Sequence, residues 1–131
     1  MDANAIALLD IFEKKMRLEV PMFQRQYVWK QEHQWAPLWE DISRKFVEFI
    51  EGRTDAPVHF LGAMVLDQRQ THTGRVERRS VIDGQQRLTT LQIFLASFRD
   101  FCRCEGLGDF ADECEKYTVN TGRMAEQEVE K

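Results

Sequence analysis

The chain has 131 residues, 43% hydrophobic and 31% charged, which fits one globular domain and excludes a disordered chain, a collagen-like repeat or a coiled-coil polymer. The longest apolar stretch, Phe60 to Leu66, is far below the ~20 residues that cross a bilayer, and the opening MDANAIALLD is acidic, so a cytoplasmic protein without membrane span or leader is expected. The net charge of −4 is unevenly distributed: residues 1–104 carry 15 basic and 14 acidic side chains and residues 105–131 carry 3 and 8, which excludes a globally basic nucleic-acid surface.

In chain order, Ile6, Leu9 and Phe12 have helical spacing and predict a short helix over Asn4 to Lys14. MRLEVP, Met16 to Pro21, alternates as a half-buried strand ended by proline. After an aromatic loop, Trp35, Leu38, Trp39, Ile42, Phe46, Phe49 and Ile50 recur every three or four residues and predict a helix over Gln31 to Glu51 with one buried face. Pro37 suits its start, and Gly52 ends it. His59 to Asp67 reads as a largely buried strand, Thr71 to Gly74 as a turn and Arg75 to Ile82 as the returning strand of a hairpin. Asp83-Gly84 then breaks the strand. Leu88, Leu91, Leu95, Phe98 and Cys102 line one side of a long helix that ends near Arg103. The expected fold is α+β, a small sheet with a β-hairpin flanked by two long helices. Residues 105–131, rich in glycine and acid, read as a loosely helical tail or an interrupted continuation. Cys102, Cys104 and Cys114, an odd count without CxxC spacing, fit reduced thiols and receive no chemistry.

Two segments carry candidate chemistry. In VIDGQQRLTTLQIF, Val81 to Phe94, a strand runs through Asp83 and Gly84 straight into a helix. That order offers an anion unpartnered N–H groups, the positive end of the helix dipole and close approach to the backbone. Asp83 and Gln86 also have the spacing of a capping box, which alone would account for Asp83, Gly84 and Gln86. Arg87 is different, because a cation in the first turn opposes the dipole by ~0.3 to 1 kcal/mol and makes better sense beside a bound anion. Gln85 and Gln86 suit the orientation of a phosphate or a water, and equally an exposed polar face. In the second segment, PMFQRQYVW, Gln24, Arg25 and Gln26 lie among Phe23, Tyr27 and Trp29. The aromatics either wall a site into which Arg25 points or serve as core anchors on which it stacks. Arg69, Arg75, Arg78, Arg79 and Arg87 form a local basic cluster within 19 residues, around the hairpin and the following loop. For Arg69 and Arg75 a solvated hairpin face is the simpler reading.

Taken together, VPMFQRQYVWKQEHQWAPLWEDI (Val20 to Ile42), HFLGAMVL (His59 to Leu66) and VIDGQQRLTTLQIFLASFRD (Val81 to Asp100) closely resemble the N-terminal domain of GmrSD-type modification-dependent restriction endonucleases. The hallmark DGQQR is intact as Asp83 to Arg87, and the resemblance covers roughly residues 5 to 104. It implies a ParB/sulfiredoxin-like fold for residues 1–104 and nucleoside triphosphate hydrolysis with a divalent metal, Mg²⁺, coupled in intact members to cleavage of modified phage DNA. Asp83, Gly84, Gln85, Gln86 and Arg87 then fall at the nucleotide site, with Gln24 and Arg25 facing it. In that reading Asp83 holds Mg²⁺ or orients water, Arg87 and Arg25 neutralise phosphate charge, and Gln85 or Gln86 positions the attacking water.

The sequence departs from the family in its length. Members usually continue through further helices, and many carry an HNH-type nuclease, whereas His33, His59 and His72 sit in no nuclease-like motif. The expectation is therefore a truncated product, an N-terminal fragment or one subunit of a split system, with the nuclease missing or separate. An incomplete domain would leave an apolar face that favours self-association or a partner protein. The alternative is a non-catalytic DNA-binding or protein-interaction module in which Arg25, Arg78, Arg79 and Arg87 contact phosphates. A third reading is a remnant that no longer folds alone.

Overall fold

The computed structural model describes residues 4–120, which form an α+β fold of four α-helices and one three-stranded sheet. They are α1 (Leu8–Glu13), β1 (Met16–Glu19), a π-helical turn (Gln31–Trp35), α2 (Ala36–Ile50), β2 (Val65–Gln68), β3 (Glu77–Asp83), α3 (Gln85–Cys104) and α4 (Gly108–Thr118). The described residues divide into two compact units, one built from residues 4–24 together with 64–120, the other from Arg25–Ala63.

The sheet belongs to the first unit. β3 is central, parallel to β1 and antiparallel to β2, so the sheet is mixed and β2–β3 is the expected hairpin. Gly74, with φ of 85°, takes the turn that a side chain would resist. Thr71 tightens the hairpin from inside: its hydroxyl donates to the Arg69 carbonyl at 3.2 Å and accepts from the Arg78 amide at 3.2 Å. The core collects Phe12 from α1, Met16 from β1, Val76 and Val81 about β3, Leu88, Leu91 and Cys102 from α3, and Ala111 and Cys114 from α4. α4 packs against α3, where Gln92 Nε2 donates to the Tyr117 carbonyl at 2.9 Å and Arg103 pairs with Glu115 at 2.8 Å. Asn120 Nδ2 donates to the Met16 carbonyl at 3.1 Å and fastens the end of this segment to β1. A helix thus occupies the acidic, glycine-rich segment as far as Thr118; its closing AEQEVEK lies outside the described residues.

Three local expectations need correction. The first helix is shorter than Asn4 to Lys14, because only Phe12 is buried while Ile6 and Leu9 stay exposed. The strand placed at His59 to Asp67 begins only at Val65, and Val58 and Phe60 are exposed. Gly62, at φ of 90°, interrupts the extended path, and an apolar run alone does not distinguish a strand from a coil. The long helix expected from Gln31 begins as a π turn, in which the Gln34 and Trp35 amides both donate to the Lys30 carbonyl. Pro37 then stands at the start of α2, where its missing N–H costs no helical bond.

The second unit consists of that turn, α2 and coil. α2 buries no residue, contrary to the expected buried face, and Trp39, Phe46, Phe49 and Ile50 are exposed. Its polar side is closed by ion pairs of Arg44 with Asp41 at 2.6 Å and with Glu48 at 3.3 Å, and of Lys45 with Glu48 at 2.7 Å. Lys45 also donates to the Pro57 carbonyl, which folds the following coil back along the helix. Tyr27 and Trp35 stack at 6.4 Å, and the indole N–H donates to the Tyr27 hydroxyl at 2.6 Å.

Candidate functional site

The junction from β3 to α3 gathers five of the seven residues singled out in the sequence. β3 ends at Asp83, Gly84 is the N-cap of α3, and Gln85 opens the helix. Gly84 adopts φ of 96° and ψ of 5°, a left-handed conformation that L side chains rarely take. A Cβ here would also lie 2.8 Å from Met64 Cγ and 3.2 Å from Met64 Cβ, so both backbone conformation and space demand glycine. Glycine is required for the turn itself, whatever binds there.

Asp83 is exposed, and its Oδ1 accepts the Gly84 amide at 2.7 Å. The capping box therefore does not form with Asp83 as N-cap: the carboxylate acts one residue too early, while the cap position holds a residue with no side-chain oxygen. The first helical bond runs from the Leu88 amide to the Gly84 carbonyl at 3.0 Å. The first turn contains no acidic residue, so no carboxylate within it answers the positive end of this 20-residue helix. Gln85 and Arg87 are half-buried. Gln86 is buried, and its carbonyl accepts the Thr90 hydroxyl at 2.8 Å, which stiffens the first turn.

Gln24 reaches the same strand from the first loop. Its backbone amide closes a turn onto the Pro21 carbonyl at 2.9 Å, and its side-chain Nε2 donates to the Ile82 carbonyl at 2.9 Å. That bond holds the loop beside the last residues of β3. It also gives Gln24 a positioning role that sequence could have suggested only through the resemblance. Arg25, the next residue, begins the second unit and is exposed, as is Phe23. Tyr27, one of the aromatics read as a possible wall, is engaged with Trp35.

Among the described residues no group of three His, Cys, Asp or Glu side chains is placed to hold a metal. A Mg²⁺ ion does not require one, because it is commonly held through one or two carboxylates, water and substrate phosphates. The exposed Asp83 carboxylate fits that mode. Cys102 and Cys114 are buried and Cys104 is exposed, all as free thiols; burial and the neighbouring Cys102 push the Cys114 thiol up. A shallow concavity of about 650 Å³ lies elsewhere, on the hairpin loop, and none of Asp83 to Arg87 lines it. Arg69, His72 and Arg75 do, and the sequence had singled out the two arginines only as a solvated basic face. No helix among the described residues is long and apolar enough to cross a membrane.

Comparison with curated proteins finds no match. The family described as GmrSD restriction endonuclease, N-terminal domain, matches over residues 8–131, nearly the whole chain, and extends past the resemblance seen at roughly 5 to 104. With that span covered, the chain belongs to the GmrSD restriction endonuclease N-terminal domain family, and its setting is a restriction system.

Proposed function

We propose that the chain is the nucleotide-binding, nucleoside triphosphate-hydrolysing regulatory domain of a phage-defence restriction system, with ParB/sulfiredoxin-like ancestry and with its phosphate site at the β3–α3 turn. The supporting observation is the left-handed glycine at the N-cap of a 20-residue helix whose first turn contains Arg87 and no acid. Backbone N–H groups at such a turn are oriented before the ligand arrives, so little reorganisation opposes phosphate binding.

Each neighbouring side chain has a role consistent with its position. Arg87 in the first turn neutralises phosphate oxygens, a task suited to the planar guanidinium. Gln85 keeps access to solvent and orients a water molecule, while buried Gln86 braces the turn. Asp83 would hold Mg²⁺, which when bound offsets charge on the phosphates and on the leaving group. Gln24, fixed to the Ile82 carbonyl, borders the site through the first loop. Cleavage of modified DNA is assigned to a nuclease domain or subunit outside these residues.

Phosphate release from each of the four common nucleoside triphosphates, measured with Mg²⁺, tests the proposal. Turnover in the parent chain that falls at least about 100-fold in both Asp83→Ala and Arg87→Ala supports it. Absence of turnover from a parent chain with a cooperative denaturant transition would reject hydrolysis by this domain alone.

A further inference from the structure

The hairpin contains a charge arrangement that the nucleotide site does not use. Arg17 on β1 is the register partner of Arg78 on β3, and the Arg69 amide donates to the Arg78 carbonyl at 2.9 Å, extending the β2–β3 ladder by one pair. Partners on adjacent strands share a face, so Arg17, Arg78 and Arg69 stand in a row across all three strands. Like charges placed directly opposite one another destabilise a sheet unless something negative answers them. Glu19 answers part of the row, at 3.6 Å from Arg17 and 3.4 Å from Arg78. Asp67 shares the face two pairs further along, opposite Ser80. Arg69 has no ion-pair partner among the described residues, and neither does Arg75 in the loop. Arg79 is committed to Glu77 at 2.7 Å, so the excess positive charge rests on the row and the loop.

We infer that this row and the hairpin loop form a second anion-binding surface, separate from the β3–α3 turn, and that its ligand is the phosphate backbone of duplex DNA. With strands about 4.8 Å apart, three arginines in a row reach across about 10 Å, wider than one phosphate group and suited to several in succession. Gln68 to Arg75 contains no apolar side chain, only arginine, histidine, glutamine, threonine and glycine, the residue types that donate to phosphate and base edges. A two-stranded ribbon of this kind fits the major groove of a duplex. A single strand is the poorer ligand, because Val65 to Asp83 contains no Phe, Tyr or Trp on which an unpaired base would stack. A domain of a restriction system has DNA as its natural polyanion.

Fluorescence anisotropy with a labelled, unmodified 20-base-pair duplex, read across a salt series, tests the surface in the full chain. About three neutralised phosphates predict a slope near −2.7 for log affinity against log salt, an affinity loss of about 40-fold between 50 and 200 mM. The Arg69→Glu, Arg75→Glu double variant should weaken binding at least about tenfold and reduce the slope by about 2, while a cooperative thermal transition shows that it remains folded. Should that variant fail to fold, Arg69→Gln alone should reduce the slope by about 1. Arg87→Ala should leave duplex binding intact. No duplex binding by the folded parent at 50 mM salt would overturn the inference. So would unchanged affinity and slope in the folded Arg69 and Arg75 variants, loss of duplex binding in Arg87→Ala, or tighter binding of the matching single strand.

Discussion

α2 and α3 are both amphipathic helices, but they use their apolar faces differently. α3 buries Gln86, Leu88, Thr90, Leu91 and Cys102 within the first unit, where α4 packs against it. α2 buries none of its residues, and within its own unit only coil and a single π turn accompany it. Periodicity reports that a helix has an apolar side; it does not report whether the same stretch of chain provides the cover. α3 therefore gains stability from tertiary burial, whereas α2 depends more on propensity and on pairs such as Arg44–Asp41 and Lys45–Glu48.

The contrast is sharpest at two glycines. Gly84→Ala, at positive φ and with Met64 in the way, should cost about 2 to 4 kcal/mol in denaturant unfolding. Gly52→Ala, also at positive φ but with open space around the added Cβ, should cost only about 1 kcal/mol. Equal costs would mean that the contact with Met64 does not constrain the turn. Next in size, Leu91→Ala in α3 should lose about 2 to 4 kcal/mol through a core cavity, while Phe49→Ala in α2 stays within about 0.5 kcal/mol. A large loss at Phe49 would break the comparison and show that the α2 face is covered in solution. Gln24→Ala, which removes the donor to the Ile82 carbonyl, should cost about 0.5 to 1.5 kcal/mol.

The smallest effect concerns acid. A hydrogen bond from Arg44 holds the Asp41 carboxyl below its ordinary range, and one from Lys45 does the same for Glu48. Both groups therefore bind fewer protons in the folded state, and their support is present above the ordinary carboxylate range and lost as the pH falls below about 4. Amide exchange should show α2 losing protection in that window while the buried part of α3 keeps it. Parallel loss in both helices would show that the ion pairs are not what distinguishes them.

What the sequence revealed follows from where its signals were local. The hairpin and the β3–α3 turn were legible because Asp83-Gly84 punctuates a strand and a clear 3.6-residue period follows. The cap falls one position later than the Asp83–Gln86 spacing suggests, since spacing alone does not tell whether Asp83 or Gly84 takes the left-handed conformation. His59 to Met64 looked like a strand because apolar runs have no period of their own, and the positive φ at Gly62 that interrupts the run is a property of the folded backbone. The arginine row is not legible in the sequence for another reason: Arg17 lies far from Arg69 and Arg78 along the chain, and only the strand register brings the three together. Gln24 was marked through the resemblance, but its hydrogen bond to Ile82 depends on a tertiary contact between distant segments.

The phosphate site proposed at the β3–α3 turn underlies every role given to Asp83, Gln85 and Arg87. Its most direct test is equilibrium binding of a non-hydrolysable nucleoside triphosphate analogue with Mg²⁺ to the parent chain and to Arg87→Ala, with both proteins shown to unfold at the same denaturant midpoint. Binding by the parent that weakens at least about tenfold in the variant is the predicted result, consistent with loss of a charge-assisted hydrogen bond worth about 1.5 to 3 kcal/mol. Equal affinity in the two proteins, or no binding by a folded parent, would contradict it.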